Sequence, residues 1–222
     1  MKLYLVRHGL TDSNVNGKMY YGDEALTQEG IDDLLDKKNV YKNLTFDYAY
    51  CSPLLRTKMT FELLFPNKMV DEYREDIIEF DLGDASDFNG SKKELKKYIT
   101  EQLMTTNDIP ELANGELFCD FEKRINNFMN ELIKNNIHKD NILVVSHGLA
   151  ISAMVKHVLE TNDIIFSLVP PNGLGYIIDF DEKVCKKIIH NNKIENVVFG
   201  DGMTIGKVDD HSKFIDGKFK KI

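Results

Sequence analysis

Residues 3–14, LYLVRHGLTDSN, join an apolar run to a short polar segment with arginine, histidine and glycine. The run Leu3–Val6 is unbroken and carries a β-branched and an aromatic residue, which is typical of a strand buried on both faces of a parallel sheet. Ligands bind beyond the carboxyl ends of such strands, where Gly9 lets the backbone approach them. The stretch therefore predicts an α/β fold with a ligand site directly after the first strand.

The polar residues of this stretch have the chemistry of an anion site. The guanidinium of Arg7 offers a planar fork of donors that fits a phosphate or a carboxylate. His8 can act as nucleophile, acid or base near neutral pH. Thr11 and Asn14 add neutral hydrogen-bond donors at short offsets. A salt bridge for Arg7 and simple packing for His8 are the ordinary alternatives, so the rest of the chain must supply partners for them.

A second apolar run ends in the same way later in the chain. NILVVS at residues 141–146 leads directly into His147 and Gly148, and the pattern of residues 149–160 predicts a helix. His147 therefore stands at the end of a strand and the start of a helix. Because parallel strands end at one edge of a sheet, we expect His8 and His147 to converge on one site.

Another candidate cation follows a second predicted strand, residues 47–51. Ser52 and Pro53 have the residue types of a helix N-cap and of a first helical position. This start places Arg56 one turn into a helix, close to an N-terminus that favours anions. The sequence thus predicts a second arginine at the anion site.

Glu79 is the candidate for a general acid. It lies between apolar neighbours and ahead of a glycine. A carboxylate in a partly apolar pocket keeps its proton longer, as a general acid must. Nearby carboxylates that compete for this role are Glu72, Glu75, Asp76 and Asp81.

Together these segments resemble the signatures of the histidine phosphatase superfamily, also called the phosphoglycerate mutase-like family. Its signature Arg-His-Gly-x-Thr-x-x-Asn is matched at residues 7–14, and Ser-Pro-Leu-x-Arg followed by Ala or Thr is matched at residues 52–57. Its motif Val-Ser/Thr-His-Gly is intact at residues 145–148. The looser Leu-x-Glu-x-x-x-Gly element has Ile77 in place of leucine before Glu79. The four motifs occur in the family's order.

The resemblance implies a three-layer α/β/α sandwich around a mainly parallel central sheet, with a small helical cap insertion, and the alternation of strand and helix patterns points the same way. It implies a phosphomonoester hydrolase that phosphorylates His8 transiently, uses Glu79 as proton donor and needs no cofactor. The residues that it implies to be catalytic are His8, Glu79, His147, Arg7 and Arg56. The residues that it implies to bind the substrate phosphate are Arg7, Asn14, Arg56, His147 and Thr11.

Two other functions remain open. A cofactor-dependent phosphoglycerate mutase of this family would carry basic residues just after the acid, whereas residues 80–82 are Phe, Asp and Leu. No family motif anchors the lysines of the cap to the pocket: Lys92, Lys93, Lys96 and Lys97. A catalytically inactive phosphate-binding module is disfavoured because every expected catalytic residue type is present. A zinc site is disfavoured because His8 and His147 lack companion ligands at suitable spacing, so no metal is expected.

The length of 222 residues and the 42% hydrophobic content fit one domain over residues 1–222. Within it we expect a cap insertion at about 81–120 and a C-terminal extension at about 181–222. The cap segment 91–98 is highly charged, which indicates a solvated helix, or else a lid that offers lysines to an anionic substrate. The glycine-bracketed segment 17–23 is expected to form a wall of the pocket.

Charge and cysteine content limit the partners and the compartment. A net charge of −8 argues against nucleic-acid binding. No apolar stretch is long enough to predict a membrane span, and the first residues do not have the pattern of a signal peptide. Three unpatterned cysteines indicate a reducing, cytoplasmic setting. The expected partner is a small phosphorylated substrate, and a monomer and a homodimer are equally open.

Overall fold

The structure, a computed structural model, describes residues 1–16, 22–83, 92–105, 114–160, 165–188, 193–198, 208–215 and 218–221. The described strands are β1 (Lys2–Arg7), β2 (Tyr48–Cys51), β3 (Glu72–Tyr73), β4 (Asn141–Ser146), β5 (Gly175–Asp179), β6 (Val184–Ile188), β7 (Lys193–Val198), β8 (Val208–Ile215) and β9 (Lys218–Lys221). The described helices are α1 (Asp12–Val15), α2 (Gln28–Lys37), α3 (Leu55–Leu64), α4 (Lys92–Thr105), α5 (Phe118–Asn136) and α6 (Gly148–Leu159). Short 3-10 turns lie at Lys38–Val40, Glu75–Ile77 and Ile165–Leu168.

The described strands form one mixed sheet in the order β3-β2-β4-β1-β5-β6-β7-β8-β9. The first four of these run parallel, as expected for the predicted, mainly parallel central sheet. From β5 onward each strand pairs antiparallel with its neighbour. In the register of β1 and β4, Arg7 lies opposite Ser146. The segments after these two strands therefore leave the sheet side by side.

Helices cover both faces of the sheet. Leu3 and Leu5 of β1 belong to a buried cluster that includes apolar residues of α5 and α6. Tyr4 and Val6 point to the other face, into a cluster with residues of α2 and α3. The unbroken apolar run of β1 is explained by burial on both faces. The predicted three-layer α/β/α arrangement is confirmed.

The start of α3 differs from the prediction. The helix begins at Leu55, so Ser52 and Pro53 precede it and Ser52 is not its N-cap. The backbone N–H of Leu55 donates instead to the carboxylate of Asp23 at 2.5 Å. The hydroxyl of Ser52 is held elsewhere, 2.8 Å from Nε2 of His147. A long-range hydrogen bond has replaced the local cap.

The cap helix α4 also differs from the prediction of a solvated helix. Leu95 and Ile99 are buried in the same core cluster as α5 and α6, so one face of α4 packs against the domain. Lys93 and Lys97 are exposed, and Lys97 pairs with Glu101 one turn along the same helix. Other predicted features lie outside the described residues: residues 17–21 of the pocket wall, residues 84–91 and 106–113 of the cap, and the side chains of Lys92 and Lys96.

The C-terminal extension continues the sheet. Strands β6 to β9 lie in sequence order, each antiparallel to the one before it. The basic tail forms β9 at the edge of the sheet, paired antiparallel with β8. Within the described ranges, every helix is too short or too polar to cross a lipid bilayer.

Gly175 offers a test of the sheet, because β5 approaches β1 too closely there for a side chain. A Cβ atom at Gly175 would lie 1.6 Å from the carbonyl oxygen of Leu5. Gly175→Ala must separate the two strands, and we expect a loss of about 3 kcal/mol in the free energy of unfolding, measured by urea denaturation. Ile178→Val on the same strand removes one methyl group and should cost only about 1 kcal/mol. A Gly175→Ala protein with an unchanged midpoint would contradict this register.

Candidate active site

The two histidines at the strand ends meet in the structure. The ring centroids of His8 and His147 are 5.3 Å apart, and both side chains are buried. The register of β1 and β4 brings them together, and the backbone N–H of His8 donates to the carbonyl of Ser146 at 3.0 Å. The predicted convergence of His8 and His147 is confirmed.

The ring of His8 is held in one tautomer. Its Nδ1 lies 2.7 Å from the carbonyl oxygen of Gly9. Because a carbonyl only accepts, Nδ1 carries the proton and Nε2 carries a lone pair. Burial, reinforced by the charges of Arg7 and Arg56, lowers the pKa of His8 well below its usual value. The ring is therefore a neutral imidazole with a nucleophilic Nε2.

The loop that carries His8 is fixed by hydrogen bonds to its backbone. The N–H of Gly9 donates to Oγ1 of Thr60 at 2.9 Å. The amide of Asn172 donates to the carbonyls of His8 and Gly9 at 3.0 and 3.2 Å. A Cβ atom at Gly9 would lie 2.7 Å from a methyl carbon of Leu34, so glycine is needed for the close packing. These contacts hold the imidazole in place.

Arg7 lies beside the two rings with part of its guanidinium unpaired. One terminal nitrogen donates to the carbonyl of Pro170 at 2.8 Å. Its Nε is buried and has no hydrogen-bond partner among the described residues. The guanidinium packs over Gly148, where a Cβ atom would lie 3.3 Å from Nε. An unpaired buried donor of this kind is suited to an anionic ligand.

Arg56 supplies the second cation. It is the second residue of α3 and is buried, and it donates to the carbonyl of Gly22 at 3.1 Å. Its charge lowers the pKa of both His8 and His147. The two predicted arginines therefore act on the same pair of imidazoles.

Glu79 lies at the start of α6, next to His147, which is the N-cap of that helix. Its Oε1 accepts from the N–H groups of Leu149 and Ala150, both at 3.1 Å. The sequence predicts a partly apolar pocket for this carboxylate and gives no sign of these two donors. The carboxylate faces the free N–H groups of a helix N-terminus, which stabilise an anion.

The competing carboxylates of this segment are engaged elsewhere. Glu72 and Asp76 form ion pairs with Arg74. Asp81 accepts from the N–H of Gly83, and Glu75 is exposed. Glu79, in contrast, is close enough for its charge to raise the pKa of Arg7, against the larger effect of burial. Geometry thus favours Glu79.

Arg124 holds the segment that presents Glu79, a role that sequence reasoning missed. Its guanidinium donates to the carbonyls of Asp76 and Ile78 at 2.8 and 2.9 Å, and to that of Glu79 at 3.2 Å. A bidentate pair with Glu116, at 2.6 and 2.8 Å, fixes the guanidinium itself. The available signal was a charge among the apolar residues of α5.

Thr11 and Asn14 lie at the start of α1 and cap each other. Oγ1 of Thr11 accepts from the N–H of Asn14, and Oδ1 of Asn14 accepts from the N–H of Thr11 at 3.3 Å. Asn172 also donates to Oδ1 of Asn14, at 3.1 Å. The carbonyl side of the Asn14 amide is therefore occupied, which leaves its NH₂ group to donate to a ligand. Sequence reasoning missed Asn172, whose only local signal is an Asn-Gly turn.

His147 has one partnered and one unpartnered ring nitrogen. Nε2 lies 2.8 Å from Oγ of Ser52, while Nδ1 is buried without a hydrogen-bond partner among the described residues. Burial is the main cause that lowers the pKa of His147 well below its usual value, and the neighbouring His8, Arg56 and Arg7 add to it. The ring is neutral.

These groups form an anion site with a nucleophile at its centre. Two arginines, a neutral His8 and the buried ring of His147 suit a tetrahedral dianion. Among the described residues, no cluster of three or more His, Cys, Asp or Glu side chains could hold a metal ion.

Comparison with known proteins points to the same chemistry. The sequence model of the histidine phosphatase superfamily (branch 1) matches residues 3–193. An adenosylcobalamin/alpha-ribazole phosphatase of Escherichia coli is 28% identical over 166 residues, which covers 72% of this chain and 79% of that protein. A 2,3-bisphosphoglycerate-dependent phosphoglycerate mutase of Bradyrhizobium diazoefficiens is 27% identical over 169 residues, 71% of this chain and 80% of that one.

A solved structure shares the fold. The crystal structure of the alpha-ribazole phosphatase from Shigella flexneri superimposes with a TM-score of 0.70 at 24% identity, and the match covers 86% of this chain and 96% of that one. The match of the family's sequence model extends over most of the chain and includes all four motifs with the residues that meet at the site. The chain belongs to the histidine phosphatase superfamily, branch 1.

Proposed function

We propose that this protein hydrolyses a small phosphomonoester through a phosphohistidine formed on His8. The observation that carries the proposal is the hydrogen bond between Nδ1 of His8 and the carbonyl of Gly9, at 2.7 Å. It leaves Nε2 as a nucleophile inside an electropositive, buried site. A structural histidine would have no need of two arginines beside it.

In the first step, Nε2 of His8 attacks phosphorus and the bond to the alcohol oxygen breaks. The phosphoryl oxygens are held by Arg7, Arg56 and His147, with the amide of Asn14 as a further donor. Positioning and charge stabilisation supply most of the rate in such a transfer, because the transition state spreads charge over these oxygens. Thr11, which caps α1, supports Asn14, and direct contact of its hydroxyl with phosphate is part of the proposal.

Glu79 acts as general acid in the first step and as general base in the second. It gives a proton to the departing alkoxide, and it then takes one from the water that attacks the phosphohistidine and frees His8. The position of Glu79 at the start of α6, next to His147, supports this role. The net reaction adds water across the ester bond and returns every residue to its starting state.

The residues around the acid support a hydrolase over a mutase. A mutase must grip a second acidic group, which requires further cations. Residues 80–82 are not basic. Of the cap lysines whose side chains are described, Lys93 and Lys97 are exposed and Lys97 pairs within α4. The relatives include proteins named as phosphatases and as mutases, so the substrate has to be found by experiment.

The proposed partner is a small phosphorylated substrate and not a nucleic acid, since the net charge is −8. We place the protein in the cytoplasm. The support is that Cys51, Cys119 and Cys185 are all free thiols, which persist in a reducing compartment.

A panel of phosphomonoesters tests the proposal. It contains 4-nitrophenyl phosphate, alpha-ribazole 5′-phosphate and 3-phosphoglycerate with its 2,3-bisphosphate, and both inorganic phosphate and 2-phosphoglycerate are measured. We expect phosphate release from the aryl ester and faster release from a preferred substrate. Conversion of 3- to 2-phosphoglycerate faster than phosphate release would replace the hydrolase with a mutase. A chain that binds phosphate but releases none, and forms no phosphoenzyme, would be a binding module.

A further inference from the structure

We propose that Ser52 is a positioning residue that fixes the tautomer of His147, so that Nδ1 of that ring carries the proton and donates it in a hydrogen bond to the phosphoryl group. The proposal rests on the proposed function of the same site. It gives a role to a residue whose type and place in the sequence predict only a helix cap.

The geometry allows two arrangements of one proton. Ser52 is fully buried, and its Oγ lies 2.8 Å from Nε2 of His147. Either the hydroxyl donates to an unprotonated Nε2, or a protonated Nε2 donates to the hydroxyl oxygen. The question arises because burial and the nearby charges lower the pKa of His147, and a neutral ring carries one proton.

Counting satisfied groups separates the two arrangements. If Nε2 donates to Ser52, the serine proton has no acceptor among the described residues and Nδ1 is a buried lone pair without a donor. Two buried polar groups are then unsatisfied, and each costs about 1–3 kcal/mol. If Ser52 donates to Nε2, only the N–H at Nδ1 lacks a partner. The second arrangement is favoured.

The remaining N–H has a natural acceptor in the proposed reaction. Nδ1 of His147 and Nε of Arg7 are both buried and unpartnered among the described residues. Both groups lie close to His8: the ring of His147 is 5.3 Å from the ring of His8, and the charge of Arg7 lowers the pKa of both histidines. A phosphoryl group accepts several hydrogen bonds at once and would satisfy both donors. With the other tautomer, a lone pair would face the phosphoryl oxygens and repel them.

Nitrogen NMR of the ¹⁵N-histidine-labelled wild-type protein tests the tautomer directly. We expect a pyridine-type shift for Nε2 of His147 and a pyrrole-type shift for Nδ1, assigned by loss of both signals in His147→Asn. A pyrrole-type Nε2 would overturn the proposal. This measurement needs no turnover, so it is independent of whether the protein is a hydrolase.

Kinetics test the consequence. Ser52→Ala should lower kcat for 4-nitrophenyl phosphate by about tenfold or more, because one transition-state donor is lost in most molecules. In His147→Asn the NH₂ group of the asparagine can donate from the position of Nδ1, and an amide has no second tautomer to be fixed. In this background the further change Ser52→Ala should therefore alter kcat by less than about twofold. Equal losses in both backgrounds would show that Ser52 does not act through His147.

A matched control separates this effect from the loss of a buried hydroxyl. Ser152 is also fully buried, but its hydroxyl donates to a carbonyl of its own helix, that of Gly148, at 2.9 Å. Ser152→Ala should leave kcat unchanged, and thermal denaturation of each variant reports its folding. Quenching in alkali should still reveal phosphohistidine in Ser52→Ala. If the wild type forms none, the proposed function fails, while the NMR result still decides the tautomer.

Discussion

His8→Ala is expected to lower turnover of 4-nitrophenyl phosphate by about 10⁵-fold, to the background rate of the assay, because the variant lacks the imidazole that forms the covalent intermediate. In the ring of His147, Nε2 is engaged in a hydrogen bond with Ser52, and Nδ1 has no carbonyl partner within the part of the chain that the structure describes. Steady-state kinetics with the purified variant measure the loss. Rapid denaturation in alkali, which preserves phosphohistidine, should detect phosphoenzyme in the wild type and none in His8→Ala.

His157→Ala is the matched control. His157 lies on α6, the helix that begins at the site, and its Nε2 is 3.2 Å from the side-chain oxygen of Asn130. Removing this partly exposed ring should change kcat by less than about twofold. Turnover by His8→Ala within about a hundredfold of the wild type would remove His8 as the nucleophile.

Glu79→Gln is expected to affect the two chemical steps differently. The amide oxygen of Gln can still accept from the N–H groups at the start of α6, but the side chain can neither give nor take a proton. For an alkyl phosphate, whose leaving group must be protonated, kcat should fall by about 10³-fold. For 4-nitrophenyl phosphate the leaving group departs without a proton, so phosphorylation of His8 should survive while hydrolysis of the phosphoenzyme slows.

The predicted signature is a burst of 4-nitrophenol equal to the amount of enzyme, followed by slow turnover, in a stopped-flow assay. Glu122→Gln is the control, since Glu122 pairs with Lys156 between α5 and α6, at 3.2 Å, and should show wild-type kinetics. Equal losses for both substrates without a burst would argue that Glu79 only holds the start of α6 and that another group moves the proton.

The parts of the site that could be predicted from the sequence are those fixed by local pattern. The apolar runs before His8 and His147 predict buried strands, and the residues at the carboxyl ends of neighbouring parallel strands lie close together. The prediction that Arg56 lies in the first turn of a helix holds although the helix begins at Leu55 and not directly after Ser52.

The parts that could not be predicted depend on contacts between distant segments. Ser52 has the local preference of an N-cap, yet its partner is 95 residues away. Arg124 binds carbonyls 45 to 48 residues earlier, and Asn172 reaches back 164 residues to His8. No helical or strand period contains such information, because each bond exists only after the sheet has assembled.

The surroundings of Glu79 show what an argument from sequence neighbours leaves out. Its apolar neighbours suggested an apolar pocket. In an extended segment, however, successive side chains point to opposite sides. Phe80 packs its ring against Phe118 and Phe121, and Glu79 therefore faces the other way, toward the N-terminus of α6.

The hydrogen bonds of Arg124 join residues 76–79 to Glu116, which lies near the far end of the cap insertion in the sequence. Its guanidinium donates to backbone carbonyls of the segment that ends in Glu79, and it forms a bidentate ion pair with Glu116. The backbone N–H of Glu116 also donates to the carbonyl of Asp81 at 2.9 Å. An exchange of the cap insertion must therefore keep a carboxylate at position 116, because Arg124 would otherwise lose the ion pair that orients it and would hold the segment of Glu79 less firmly.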